Sequence, residues 1–348
     1  MIDFAILACP VLALHIPARY DSASPSPTVH GEPARIFPYT KPLSNPDDPC
    51  AMPLVQPSHS EFISLNQHRY HLRHWGDPAA PLLVMLHGWM DSSATFQFLV
   101  DALPGEWHVV APDWRGFGDS DWNRDSYYFP DYLADLDALL SHLSPQQPVR
   151  LLGHSMGAMI AGIYAGVRPE RIERLSLVEG FGLNATRPAE APGRYARWLR
   201  ERRDAPSFNA LGRLEDVANK LIERNPRLTA PRAHWLASML TRQREDDQLV
   251  YRADPRHKMV NPVLYRLEEA KCCWQRITAP VQWVMGGDMW DHPMAKGVMD
   301  SLPERRACFA RLQENVIAGA GHMIQWEQPE ALAQVIQPFL IQAEIRSA

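Results

Sequence analysis

The chain has 348 residues, 35 Lys+Arg against 40 Asp+Glu, 46% hydrophobic and 22% charged residues, and 31 prolines. That composition excludes collagen-like, coiled-coil and wholly disordered chains, while the length suits either two domains or one large α/β domain with an insertion. A formal charge of −5 excludes the strongly basic stripe of a dedicated nucleic-acid binder.

Cys9, Cys50, Cys272, Cys273 and Cys308 are odd in number and show no CxxC spacing, which fits a reducing compartment. No apolar run approaches the ~20 residues of a membrane span. The apolar stretch from Phe4 to Ile16 lacks the basic flank of a secretory signal. A cytoplasmic location without stable membrane insertion is therefore expected.

Residues 1–57 read as a proline-rich, disordered arm, because prolines this dense remove the backbone donors that helices and sheets need. Met52, just ahead of the first strand-like run, makes a later start of translation an equal alternative. Glu61 to Leu65 and Arg69 to Tyr70 onward read as an antiparallel pair turning at Asn66-Gln67. A buried strand at Pro81 to Leu86 is followed by a helix from Ala94 to Leu103 and a strand at Trp107 to Ala111. A helix from Pro130 to Leu143 carries Tyr132, Leu133, Leu136, Leu139, Leu140 and Leu143 at the 3.6-residue period. Next come a strand at Pro148 to Leu152, a helix from Met156 to Val167 and a strand at Leu175 to Val178. Strands alternating with helices predict an α/β fold with a parallel sheet covered on both faces.

The alternation stops over residues 183–273, which read as a helical insertion without strands. That segment holds 18 Lys+Arg and 12 Asp+Glu, a net of +6, so the chain's −5 leaves −11 on the host. Its run Arg194, Arg197, Arg200, Arg202 and Arg203 reads first as a solvated helix face and second as a steering field for an acidic substrate. Alternation resumes with a strand at Pro280 to Met285, a helix near Met294 to Leu302, a strand at Asn315 to Ala318 and a final helix from Pro329 to about Ile341. The core accordingly comprises 58–182 and 274–345.

Gly153-His154-Ser155-Met156-Gly157 falls between a strand and a helix, the setting of a nucleophile elbow. A serine hydroxyl needs a base, and on such a fold the order is serine, acid, histidine. His322 in Gly321-His322 follows the last strand. Three carboxylates compete as its orienting partner: Asp288, after the strand ending near Met285, is favoured, with Glu179 and Asp291 as alternatives. Backbone N–H groups of Trp89, in His87-Gly88-Trp89, and of Met156 stand where an oxyanion would be held. Asp113 to Ser120 lacks the spacing and lysine of a phosphate loop and reads as a structural turn.

His87-Gly88-Trp89, the segment Asp113 to Ser120, Gly153 to Gly157, Gly287-Asp288 and Gly321-His322 together resemble the successive motifs of the α/β-hydrolase superfamily, in its capped, serine-hydrolase-like branch. The resemblance spans about residues 60–345. It implies an eight-stranded, mostly parallel sheet, a helical cap inserted after the sixth strand, and Ser155, Asp288 and His322 as triad. Pro293 lies further from Asp288 than is usual there, which keeps Glu179 in play. The implied activity is cleavage of a carboxylic ester through an acyl-enzyme, with an amide or C–C bond next to a carbonyl as a variant. A catalytically silent binding module is the rival. Neither cofactor nor metal is implied, and the expected partner is a small-molecule ester rather than nucleic acid.

Overall fold

Asn66 and Gln67 both adopt positive φ, 48° and 67°, as the central pair of a two-residue hairpin turn must. They join β1 (Ser58–Leu65) to β2 (His68–Trp75), at the turn read from the sequence. The computed structural model describes residues 56–288 and 295–342. The proline-rich arm and Asp291 thus lie outside the described residues, apart from the arm's last two positions.

The strands that follow are β3 (Leu82–Leu86), β4 (His108–Pro112), β5 (Val149–His154), β6 (Ile172–Val178), a short pair β7 (Thr241–Gln243) and β8 (Leu249–Tyr251), then β9 (Val281–Gly286) and β10 (Leu312–Ile317). Eight of them form one sheet in the order β1-β2-β4-β3-β5-β6-β9-β10, in which β2 alone runs against the rest. Strand alternation divides the core. Val84, Leu86, Leu151, Leu175 and Trp283 face one side, with α2 (Phe129–Leu143) and α3 (Met156–Val167) packed against them, while Leu83, Met85, Val109 and Val284 face the other. There they meet α1 (Gln97–Ala102) and the C-terminal helix Pro329–Ile341.

Three local expectations are corrected. The predicted helix Ala94 to Leu103 begins as a 3₁₀ turn, Ser93–Phe96, before α1. Residues 183–273 hold α4 (Ala191–Arg203), α5 (Leu214–Arg224), α6 (Ala230–Leu240) and α7 (Leu267–Trp274), but also the β7-β8 hairpin. Strands of three residues are too short for alternation to reveal. The helix placed near Met294 to Leu302 is two helices, α8 (Ala295–Asp300) and α9 (Leu302–Arg306), because Pro303 favours a fresh first turn over continuation. The chain closes with α10 (Ile324–Glu327) and α11 (Pro329–Ile341). The intervening segment is not a separate ball: its Leu211, Val217, Leu228 and Leu236 pack on Phe98 and Trp326 of the host.

Asp113 to Ser120, following β4, is a structural turn as expected. Asp113 Oδ1 accepts from the Ser93 N–H at 2.7 Å and Oδ2 from the Asp119 N–H at 3.0 Å, and His71 Nδ1 lies 2.7 Å from Oδ2. A side chain at Gly118 would collide with that carboxylate. Arg115 donates twice to the buried Asp135 of α2, at 2.6 and 2.7 Å, and Tyr70 and Asn66 donate to the same carboxylate.

Buried imidazoles tie the loops at the sheet's C-terminal edge. His87 Nε2 accepts from the Trp114 N–H at 2.9 Å, with Nδ1 2.7 Å from Gly88 O, which requires the neutral ring. Burial holds its pKa down to about 4 and that of His154 down to about 3. His257, stacked between Phe117 and Tyr127 at 3.8 and 3.6 Å, is pushed well below the ordinary value for the same reason. Asp91 is the opposite case: burial pushes its carboxyl up to about 7.

Two outcomes follow. Asp135→Ala leaves the Arg115 guanidinium with only the half-exposed Asp131 at 3.3 Å, and should cost about 3 kcal/mol, the low end for a broken buried pair, in urea unfolding. On acidification below about pH 6.5 the unfolded chain takes up protons at His87, His154 and His257 that the fold refuses, whereas Asp91 takes one up in the fold between about pH 7 and 4. His74, which burial likewise holds down to about 4, adds a fourth proton on the unfolded side, so the net difference is three protons and stability should fall by up to about 4 kcal/mol per pH unit from pH 6 to 4. Unfolding curves at pH 6.5, 5.5 and 4.5 check this, and a flat or rising series contradicts it.

Candidate active site

β5 delivers Ser155 through a turn that only small neighbours permit. Ser155 sits at φ 52° and ψ −115°, a conformation that costs an L-residue of order 1–3 kcal/mol. A Cβ at Gly153 would come within 2.5 Å of the Ala158 backbone, and one at Gly157 within 2.1 Å of Leu86 O. The glycines therefore allow α3 to start directly under the strand end. The Ser155 N–H donates to Val178 O at 2.9 Å, fixing the turn to β6.

Ser155 and His322 meet as the sequence led us to expect: His322 Nε2 lies 3.0 Å from Ser155 Oγ. The partner of the imidazole is where the favoured expectation fails. His322 Nδ1 lies 3.2 Å from Glu179 Oε2, and the Glu179 side chain is fully buried. Glu179 follows β6 directly, at φ 53°, and its Oε1 accepts from the Gly286 N–H at 2.6 Å. The Asp288 carboxylate instead receives Arg227 Nη2 at 2.6 Å and is 40% exposed. The Asp288 N–H is bonded to Ala320 O, so the backbone of this loop packs along the histidine loop while its carboxylate faces α5's trailing turn. Asp288 thus links the inserted segment to the host.

Several groups that the motifs did not reveal hold His322. His154 Nε2 lies 2.8 Å from His322 O, and Gln325 Nε2 donates to His154 Nδ1 at 3.1 Å, which makes the buried ring neutral with its proton on Nε2. Glu327 accepts from the Gly321 N–H at 2.5 Å and from Asn225 Nδ2 at 2.8 Å. Their signal in the sequence was weak: His154 fills an unconstrained position of the elbow motif, and Gln325, Glu327 and Asn225 belong to no spaced motif. Asp91 is a further buried carboxylate near the site. Its Oδ1 accepts from the Ser92 N–H and Thr95 Oγ, its Oδ2 has no partner, and the His322 charge opposes the upward push that burial gives its pKa.

Gly88 brings the chain after β3 against Ser155, since a Cβ there would lie 3.2 Å from Ser155 Cβ. The next residue, Trp89, presents a backbone N–H, and Met156 is the first residue of α3, whose N–H has no acceptor within the helix. Among the described residues one group has metal-ligand character, His71, Asp113 and Asp119, with ligand atoms within 4.8 Å of one another. Its donors and acceptors are already engaged: His71 Nε2 lies 2.8 Å from Ser60 Oγ, and Asp119 Oδ1 accepts from Arg252 at 2.5 Å. Among the described residues no helix is long and apolar enough to cross a membrane.

Known proteins agree with this architecture. Residues 81–329 match the family model of the α/β-hydrolase fold. A serine hydrolase-like protein of Danio rerio is 26% identical over 282 residues, covering 76% of this chain and 83% of its own. A 3-hydroxybutyrate-oligomer hydrolase of Cupriavidus necator is 36% identical over 113 residues, 32% of this chain and 38% of that one. The thioesterase domain from the curacin biosynthetic pathway superposes with a TM-score of 0.69 at 25% identity, over 80% of this chain and 99% of that one. With the elbow, the eight-stranded sheet and the family match in agreement, the chain belongs to the α/β-hydrolase superfamily.

Proposed function

We propose that the protein cleaves carboxylic esters through an acyl-enzyme formed on Ser155. The observation that carries this reading is the continuous chain of contacts from Ser155 Oγ to His322 Nε2 at 3.0 Å and from His322 Nδ1 to a fully buried Glu179 at 3.2 Å. His322 takes the Ser155 proton as the hydroxyl attacks and returns it to the leaving alcohol; a water then enters by the same base. Glu179 keeps the Nδ1 proton in place and stabilises the imidazolium that forms. Its second oxygen is fixed by the Gly286 N–H, so the carboxylate has little freedom to turn away. The Trp89 and Met156 N–H groups stabilise the oxyanion.

Two further features support the same reading. His322 is oriented at its own carbonyl by His154, so the base is held from the backbone as well as from the ring. Residues 183–273 act as the cap, because they pack on Phe98 and Trp326 beside the histidine loop and close that end of the sheet. Amide or C–C cleavage would use the same triad. A silent binding module would have no need of a buried carboxylate aligned on a histidine that reaches a strained serine.

A fluorophosphonate probe should add one label to the wild type and none to Ser155→Ala, read by intact mass; equal labelling of both would sink the proposal. Glu179→Gln should lower kcat on a p-nitrophenyl ester by about 10³ to 10⁴-fold, as replacement of an orienting carboxylate does. Asp288→Asn, which loosens only the Arg227 contact, should cost less than about tenfold. A reversed ranking returns the acid's role to Asp288.

A further inference from the structure

Between the host and the inserted segment lies a cavity of about 540 Å³, walled by the end of β2, the turn after β4, the Ser92 loop and the β7-β8 hairpin. None of Ser155, His322 or Glu179 lines it. Its wall holds four arginines, Arg73, Arg213, Arg242 and Arg252, and three carboxylates, Asp113, Asp119 and Asp247. Two of those carboxylates are spoken for. Asp113 is saturated by His71 and two backbone N–H groups, and Asp119 accepts from Arg252. Arg213 is largely exposed and lies 3.8 Å from Asp216.

Two guanidinium groups, those of Arg73 and Arg242, form no ion pair among the described residues. Arg73 is nine-tenths buried; its Nη1 donates to Ser58 Oγ, and its buried Nε has no partner. The exposed Arg242 forms no ion pair or side-chain hydrogen bond among the described residues; its guanidinium lies 5.6 Å from the Trp122 ring and feels the charges of Arg252 and Asp119. Ser92 Oγ, buried in the same wall, is also without a partner. Unmade hydrogen bonds of buried groups cost about 1–3 kcal/mol each, and more for charged ones, so two in one wall, Arg73 Nε and Ser92 Oγ, are not a neutral packing outcome. Desolvation and the neighbouring Arg252 charge lower the pKa of Arg242, while the Asp119 carboxylate opposes them.

We propose that this cavity is a second binding site, for a small oxyanion such as a carboxylate or phosphate group, held between Arg73 and Arg242 with Ser92 Oγ as a further donor. The planar guanidinium fork matches both anions in a bidentate manner. Leu214, Met239 and Leu249 supply apolar wall for a short organic body attached to the anion. The proposal does not depend on the catalytic reading of Ser155.

The test is isothermal titration of the full chain with inorganic phosphate and, separately, with butyrate, each against sodium chloride at equal ionic strength. Saturable binding of either anion is expected, phosphate alone marking a phosphoryl ligand and butyrate alone a carboxylate. Arg242→Gln should weaken it at least about tenfold, the worth of one charged hydrogen bond. Arg242 is exposed, so this variant should fold normally; should it not, Ser92→Ala, which removes only an unpartnered hydroxyl, decides by the same weakening. No saturable heat beyond chloride in the wild type, or unchanged affinity in the folded variant, overturns the proposal.

Discussion

The turn at Ser155 is the constraint on which the rest of the site depends. A positive φ at a serine is unfavourable in isolation, and it persists only because surrounding contacts over-determine it. Here β5 ends deep in the sheet, the Ser155 N–H is spent on Val178, and α3 packs its Ile160, Ala161 and Tyr164 into the core, so relaxing the turn would displace a buried helix. Gly153, Gly157 and Gly88 are consequences of that placement: at each, a Cβ would crowd backbone or the side chains of His154 and Ser155. The hydroxyl is thereby presented at a fixed height above the sheet edge, where loops after β3, β6 and β10 converge.

Those loops are held by buried polar groups rather than by apolar contact alone. His87 joins the loop after β3 to the turn after β4, His154 joins the strand before Ser155 to the backbone of His322, and Asp113 gathers three segments. Each of these links uses an uncharged ring or a fully satisfied carboxylate, the form in which burial of polarity is tolerable. Asp91 and Arg73 are among the exceptions, each with a buried atom unpartnered, and Arg73 lines the cavity under the β7-β8 hairpin.

The inserted segment contributes to the host's geometry as well as covering it. Asn225 secures Glu327, which holds Gly321, and Arg227 bridges Asp288 and Gly319, so the histidine loop is steadied from the far side by residues of the insertion. The net positive charge of that segment finds a use here, in pairing with carboxylates of a more acidic host. The arginine run of α4 is only in part the solvated face that its spacing suggested: Arg200 and Arg203 are exposed, whereas the half-buried Arg194 and Arg197 bond to Asn261 O and Glu201.

What the sequence determined by itself was whatever repeats at short range: the alternation of strands and helices, the hairpin at Asn66-Gln67, the elbow around Ser155 and the histidine after the last strand. Periodicity and glycine spacing are local requirements, so they are legible in a linear chain. The choice between Glu179 and Asp288 was not local. Both follow a strand of the same sheet, and only the packed structure shows that the imidazole reaches the carboxylate after β6 while Arg227, 61 residues away in the chain, captures the other. The arginine-lined cavity is of the same kind. Arg73 and Arg242 carry no shared motif, and their approach depends on how the insertion docks on the edge of the sheet, a matter of tertiary packing that no spacing encodes.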